Sequence, residues 1–592
     1  MRLRTCIISA AFCFALSIGQ STYAQKTEPR GQAASIVAAA ELLPQSTVVF
    51  AQIPDPDGLV NTLLEHPAHE RIKAIPGAAA VYKSPQVMQA RAGMAMIELQ
   101  LGMSYYEMVR ILGGEGITAA FDLETNGGAV LLRTSEPDEQ AKTLQRIIGL
   151  VKKQRHDNNQ PEIKSADYRG AKVYEVDNVR LGSMDGWIVV TNNPKLGKSI
   201  VDAHLDHPAD SLAASDWFKK AVAQLDDDVV LRAAVNLAEI RDRGGLKKML
   251  EGTKSNPVGE LLVGGIFENL KHSPFIAGQF KLDDSSVSLN FRTPHDKKWI
   301  PEEREFFFGP DGSGVARAAI PTDDSVLNIS AYRDIAKMWL YGGDLFNQQI
   351  NDGMAEAESN LSTLFAGKDF VEEVLGLIKP EIQLVVRKQS FADRLPIPAM
   401  KLPSFALVGE LKDPKVMKDE LRRTYQSIIG FFNVLGAMEG NPQLDQDIQE
   451  HDGAKVMTAK FIPTPEDKDS KTASVHYNFS PTLALAGDHF VLASSLPLAK
   501  NLASNVKSAK VADADSANLR LSMKAAPLKS ILDDNREFLI SNNMLEDGNT
   551  RKEAERNIGL LLTLVGLFDG FSAKLLPTDK DLNLDLKLTL AK

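Results

Sequence analysis

Apolar and polar residues alternate with a period of two near the end of each half of the chain. In residues 286–291, Val, Leu and Phe alternate with Ser and Asn, and in residues 582–588 Leu alternates with Asn, Asp and Lys. This alternation is typical of a strand with one buried face and one solvated face. The pattern predicts antiparallel strands in both halves.

Six segments recur in the same order in the two halves, which indicates a tandem duplication. The alternative is that any chain with alternating strands and helices allows such pairs to be matched by eye. The pairs are 46–64 with 325–339, 106–121 with 371–386, 129–150 with 405–431, the tetrapeptide Gly-Ala-Lys-Val at 170–173 and 453–456, 185–194 with 488–497, and 230–238 with 518–526.

The order of these segments predicts an α+β fold. We expect a tandem duplication of one unit, in which helices pack mainly on one face of an antiparallel or mixed sheet. The predicted boundaries are a first lobe at 25–294, a linker at 295–317 and a second lobe at 318–592.

The first 24 residues have the pattern of a secretory signal peptide. Arg2 and Arg4 precede an apolar run from Cys6 to Ile18, and small residues lead to a cleavage point near Ala24. We therefore expect export, with a periplasmic or extracellular location after cleavage. Both cysteines lie in this segment, so the mature chain is expected to contain none and to form no disulfide.

Composition narrows the class of partner. The 77 acidic residues outnumber the 67 basic residues, for a formal net charge of −10. An acidic surface repels polyphosphate, which makes nucleic acid an unfavourable partner. No segment after the signal has the length of uninterrupted apolar sequence that a membrane span needs, so we expect no transmembrane segment.

Three consecutive phenylalanines, Phe306, Phe307 and Phe308, stand out in the predicted linker. In one interpretation they fill a gap between the lobes. In the other they form an interaction patch for an unknown protein or apolar ligand, because such a cluster is costly to leave in water.

Sequence motifs with known chemistry are incomplete. Gly197-Lys198-Ser199 lacks the first glycine of a phosphate-binding loop. His66 and His69, and His204 and His207, form pairs without the residue order of a zinc-peptidase helix. Ser504 to Lys507 matches only the short S-x-x-K pattern. We therefore predict no catalytic, cofactor-binding or metal-binding residues.

The segment Leu42-Leu43-Pro44-Gln45-Ser46 and the run from Phe306 to Gly309 give the chain a family resemblance. With its signal peptide and duplicated architecture, it resembles a group of large exported bacterial proteins of unknown function. The resemblance implies export and fold, and it implies no catalytic residue.

Three functions are consistent with these patterns. The first is an exported, non-enzymatic binding or scaffold protein. The second is an envelope carrier or chaperone for apolar cargo, which the 25 phenylalanines and 16 methionines would suit. The third is an exported hydrolase, which would need carboxylates or histidines from separate segments in one cleft.

Overall fold

The computed structural model describes residues 36–66, 85–245, 254–320, 322, 324–365, 367–391, 396–506 and 516–591. The chain divides into two compact units, which are described separately below. Unit 1 comprises Met1–Gly244 and Pro274–Thr293, and unit 2 comprises Gly245–Ser273 and Pro294–Lys592.

The described part of unit 1 contains ten strands. They form one antiparallel sheet in the order β10-β9-β8-β1-β2-β3-β7-β6-β5-β4. The strands are β1 (Thr47–Ile53), β2 (Gly116–Asp122), β3 (Gly127–Arg133), β4 (Lys164–Tyr168), β5 (Ala171–Val176), β6 (Val179–Met184), β7 (Trp187–Thr191), β8 (Leu231–Asn236), β9 (Phe275–Asp283) and β10 (Ser286–Pro294).

The described part of unit 2 repeats this sheet strand for strand. Its antiparallel order is β20-β19-β18-β11-β12-β13-β17-β16-β15-β14, so the α+β class and the duplication are confirmed. The strands are β11 (Ser325–Tyr332), β12 (Glu381–Arg387), β13 (Ser404–Glu410), β14 (Leu444–His451), β15 (Ala454–Phe461), β16 (Thr482–Ala486), β17 (His489–Ala493), β18 (Leu519–Lys524), β19 (Phe568–Pro577) and β20 (Asp581–Leu590).

Helices connect the strands at corresponding places in the two units. In chain order the first nine are α1 (Ile36–Glu41), α2 (Pro56–Glu65), α3 (Pro85–Leu101), α4 (Tyr105–Gly113), α5 (Pro137–Asp157), α6 (Pro194–Asp206), α7 (Asp216–Val222), α8 (Leu237–Asp242) and α9 (Pro257–His272). They are followed by α10 (Glu305–Phe308), α11 (Ile335–Leu340), α12 (Gly342–Leu345), α13 (Gln348–Leu364), α14 (Pro414–Met438), α15 (Leu496–Asn505), α16 (Ala525–Asp534), α17 (Arg536–Asp547) and α18 (Arg551–Val565).

The core of unit 1 has a layer of helices on each face of the sheet. On one face, Phe50 and Leu131 of the sheet pack with Ile200 of α6 in a cluster that α1 and α7 complete. On the other face, Leu144 and Ile148 of α5 pack in a second cluster over β5 and β7. Leu112 of α4 also packs in this second cluster, so helices cover both faces of the sheet.

Unit 2 has the same two layers. Leu498 and Leu502 of α15 pack on one face of the sheet, in the position that α6 occupies in unit 1. Tyr425 and Ile429 of α14 pack on the other face, in the position of α5. The four extra residues of α14 relative to α5 leave its apolar face in phase, because they add about one turn.

The repeated tetrapeptide marks the same hairpin in each unit. Arg169 and Gly170 link β4 to β5 with φ values of 52° and 88°, and Asp452 and Gly453 link β14 to β15 with 47° and 69°. Two-residue hairpin turns of this kind need positive φ at both positions, which favours Gly at the second one. The shared residues therefore specify a turn.

Helix α9 belongs to unit 2, although its sequence lies between two strands of unit 1. Leu261 and Ile266 of this helix pack against the cluster that contains Phe306, Phe307 and Phe308. The core of unit 2 is thus built partly from a segment that precedes β9 and β10 in the chain.

Candidate binding groove

Unit 1 contains a groove with a volume of about 510 Å³. Strands β4, β5, β6 and β7 form its floor, and the first two turns of α6 form its wall. This volume lies within the range of typical small-molecule sites, which is about 300–1,000 Å³.

The floor of the groove consists of two rows of residues that are paired across the four strands. In the first, which we call the apolar row, Ala166 pairs with Val173, Val173 with Gly182, and Gly182 with Val189. Paired residues of an antiparallel sheet share a face, so these small and branched side chains form one continuous apolar surface. Gly182 deepens it, because a Cβ there would meet only the Val173 Cγ2 atom, at 3.8 Å.

The second row, which we call the charged row, is displaced by two residues from the apolar row on each strand. Lys164 pairs with Glu175, Glu175 with Arg180, and Arg180 with Thr191. Arg180 Nη2 lies 2.8 Å from Glu175 Oε1. Since side chains two residues apart on a strand point the same way, both rows face the groove.

Helix α6 begins beside the charged row and forms the wall. Asn193 caps its N-terminus by accepting from the backbone N–H groups of Lys195 and Leu196. Gly197 lets the helix approach the sheet closely, because a Cβ on this residue would lie 3.0 Å from Thr191 Cγ2. Val201, one turn later, continues the apolar lining of the wall.

A tyrosine closes the end of the groove that is remote from the charged row. The hydroxyl of Tyr168 on β4 donates to Asp202 on α6, with Oη–Oδ2 at 3.1 Å. Lys198 Nζ lies 5.2 Å from the centre of the Tyr168 ring. The hydrogen bond to Asp202 raises the pKa of Tyr168, so the phenol stays neutral at physiological pH.

The corresponding positions of unit 2 are filled. By strand register, Val173 and Gly182 correspond to Val456 and Ala484, which are completely buried. Both belong to a core cluster with Leu498 and Leu502 of α15. The charged pair Glu175–Arg180 is replaced by Thr458 and Thr482, whose hydroxyl groups are hydrogen-bonded at 2.9 Å. The same architecture therefore forms a groove in one unit and a packed core in the other.

Phe306, Phe307 and Phe308 lie in α10 and are each 0% exposed. They form the centre of a core cluster in unit 2, and the guanidinium of Arg333 lies 3.6 Å from the centre of the Phe307 ring. Burial lowers the pKa of Arg333. These rings therefore contribute no accessible surface to an interaction patch in the chain.

The histidines considered as metal ligands lie in different settings. His66 is buried, with Nε2 3.1 Å from the backbone oxygen of Asp283, and His69 lies outside the described residues. His207 ends α6 in the left-handed conformation, and its ring is 6.5 Å from that of His204. Among the described residues, no group of three or more potential ligands could hold a metal ion.

The structure shows which residues surround two of the incomplete motifs. Gly197 and Lys198 line the groove, in the first turns of α6. Ser504 Oγ lies 3.2 Å from His451 Nε2, and Asp452 lies 3.4 Å from the same nitrogen. In serine hydrolases the carboxylate contacts the other ring nitrogen of the base, so this cluster does not match a catalytic triad.

Unit 2 also presents an apolar surface at the end of α14. Phe431, Phe432 and Met438 are 55%, 53% and 80% exposed, and the stretch from Gln426 to Ala437 contains no charged residue. Asn433 fixes this end of the helix by exchanging two hydrogen bonds with the backbone of Leu444, at 2.9 and 2.7 Å. The surface is thus held in a defined position.

Comparisons with known proteins give no family. No family model matches the chain, and no curated protein matches it. Solved structures of three crystal forms of TP0453 (IV, III and I) are similar over 43% of this chain and 80%, 78% and 77% of theirs, at 8%, 8% and 10% identity and TM-scores of 0.22, 0.22 and 0.23. Similarity at this level carries no argument about function.

In the part of the chain that the structure describes, no helix combines the length and the apolar character needed to cross a bilayer.

Proposed function

We propose that this protein is an exported binding protein and that the groove of unit 1 is its ligand site. The observation that carries the proposal is the difference between the two repeats. Unit 1 has a groove over Val173 and Gly182, whereas Val456 and Ala484 of unit 2 lie under packed side chains. Filling a cavity of this kind with apolar side chains usually stabilises a protein, so an open groove is a feature that stability alone does not favour.

The residues of the groove favour binding over catalysis. Its floor combines an apolar row with a charged row, the arrangement that ligand pockets use to combine affinity with orientation. Export is supported by the pattern of Arg2, Arg4 and the apolar run that ends before Ala24. The excess of acidic residues supports a ligand other than nucleic acid.

Native mass spectrometry of the protein purified from its own envelope fraction tests the proposal, with denaturing mass spectrometry of the same sample. We expect a mass excess that disappears on denaturation. Gly182→Leu should remove the excess, because the new side chain projects from the apolar row into open space.

Val179→Leu is the matched control, since Val179 lies on the same strand but on the opposite face. It should retain the excess. A wild-type protein at the mass of the bare chain would overturn the proposal, and so would a Gly182→Leu variant that keeps the bound mass.

A further inference from the structure

From the two rows of the groove floor we infer the class of ligand: an amphiphile with an extended apolar chain and one anionic headgroup. This inference rests on the proposed binding function. The chain would lie along the apolar row toward Tyr168, and the headgroup would lie at the charged row beside Lys164 and Arg180.

The charges around the groove favour an anion. Lys164 and Arg180 are the cations of the charged row and Glu175 is its carboxylate, whereas Lys198 lies beside Tyr168 at the other end of the groove. Glu175 is already paired with Arg180 at 2.8 Å, and Asp167 accepts from the backbone N–H of Gly170 at 3.0 Å. Glu175 and Arg180 offset each other, and among the described residues no carboxylate lies within ion-pair distance of Lys164, so this lysine gives the charged row an excess of one positive charge.

The same geometry assigns the direction of the ligand. Tyr168 and Asp202 close the end next to the apolar row, and Thr191 and Pro194 border the end with the charged row. An apolar chain gains free energy in proportion to the area it removes from water, about 25 cal/mol per Å². Ion pairs at an exposed position contribute less, so the headgroup should determine orientation and selectivity more than total affinity.

Calorimetric titration of the mature full-length chain with three twelve-carbon compounds tests the inference, with the two ionic compounds below their critical micelle concentrations and the alcohol below its solubility limit. Dodecanoate is the anionic probe, dodecanol the neutral one and dodecyltrimethylammonium the cationic one. We expect dodecanoate to bind most tightly. We also expect its advantage to shrink as the salt concentration rises, because added ions screen exposed charges.

Variants separate the headgroup from the chain. Lys164→Ala should weaken dodecanoate binding by about two- to fivefold, the range expected for one exposed ion pair, and should leave dodecanol unchanged. Lys172→Ala is the control, because this exposed lysine is on the opposite face of the neighbouring strand. It should change neither affinity.

The outcomes distinguish this inference from the proposed function. Equal affinity for the three probes, preference for the cation, or no binding of any probe would overturn the anionic-amphiphile assignment. The proposed function would still stand in those cases if native mass spectrometry showed a bound mass that Gly182→Leu removes. Dodecanoate binding that Gly182→Leu leaves intact would place this probe outside the groove and would also overturn the anionic-amphiphile assignment.

Discussion

The hydroxyl of Tyr168 donates to the carboxylate of Asp202 at 3.1 Å and thereby ties an outer strand of the unit 1 sheet to helix α6. Strand β4 pairs with β5 along one edge. Asp202 also accepts from Arg169 at 2.7 Å, next to the turn that joins these strands. The groove wall and the groove floor are therefore linked at one end by a small network of polar side chains.

Removing this hydroxyl should loosen the closed end of the groove. Tyr168→Phe keeps the aromatic ring beside Lys198 and removes only the donor to Asp202. We expect severalfold weaker dodecanoate binding and faster amide hydrogen exchange in residues 164–170, because an outer strand that loses a tether opens locally at lower free energy. Hydrogen-exchange mass spectrometry and calorimetric titration measure the two effects.

Tyr174→Phe is the matched control, since Tyr174 is on the adjacent strand and packs into the cluster on the opposite face of the sheet. It should leave exchange in residues 164–170 unchanged. Unchanged exchange in Tyr168→Phe itself would show that β4 does not depend on Asp202.

The duplication and the fold class could be predicted from the sequence because they rest on local patterns. Leucine alternation at 582–588 falls within β20, and the Gly-Ala-Lys-Val repeats begin at matching hairpin turns. These features depend on backbone geometry and on one buried face, both of which a single segment encodes.

The groove could not be predicted, because the strands that build it lack such a pattern. Residues 164–168 read Lys-Ser-Ala-Asp-Tyr, and Gly182 interrupts the apolar residues of β6. The structure has four strands, β4 to β7, between the helices α5 and α6. Strand β4 borders the groove on one face and solvent on the other, so it needs no buried apolar side and hydrophobic periodicity does not reveal it.

The burial of the three phenylalanines could not be predicted from the sequence either. Their burial depends on Leu261 and Ile266 of α9, a helix that lies about forty residues earlier in the chain. A cluster of this kind is specified by tertiary packing, and the local sequence is equally compatible with an exposed patch.

Two glycines of unit 1 should respond in opposite directions to the same substitution. Gly170 has φ of 88° in the hairpin turn, a conformation that costs an L-residue about 1–2 kcal/mol. Gly149 is exposed in the middle of α5 with no atom near a new Cβ, and alanine is better there by about 0.5–1 kcal/mol.

Chemical denaturation of the two variants measures this difference. We expect Gly170→Ala to lower the free energy of unfolding of unit 1 and Gly149→Ala to raise it. Stabilisation by Gly170→Ala would contradict the turn geometry that explains the repeated tetrapeptide.

Phe307 and Phe431 provide a matched pair of aromatic residues in unit 2. Phe307→Ala should cost about 3–5 kcal/mol, because the ring is 0% exposed and packs against the guanidinium of Arg333. Phe431→Ala should change stability by no more than about 0.5 kcal/mol, because the ring lies on the exposed surface at the end of α14. Urea denaturation followed by circular dichroism gives both values, and similar losses for the two variants would contradict the assignment of buried and exposed positions.

His295 should make the stability of unit 2 depend on pH. The residue is buried, with Nδ1 2.7 Å from Asn269 Oδ1 and its ring 5.2 Å from that of Phe308. Desolvation by burial lowers the pKa of His295, against a weaker opposing effect of Asp296 and with the charges of Lys297, Asp579 and Asp581 nearby. The folded unit therefore holds this histidine neutral at pH values where the unfolded chain binds a proton.

Because protonation favours the unfolded chain, the stability that neutral His295 contributes is complete above about pH 6.5 and decreases as the pH falls through this value. One such group lowers the free energy of unfolding by at most about 1.4 kcal/mol per pH unit.

Denaturation of the wild type and of His295→Gln between pH 7.5 and 5 isolates the effect, because all other groups titrate in both proteins. We expect the variant to be less stable at neutral pH, since it loses the packing against Phe308, and to lose less stability as the pH decreases. Parallel pH profiles for the two proteins would show that His295 titrates alike in the folded and unfolded chains.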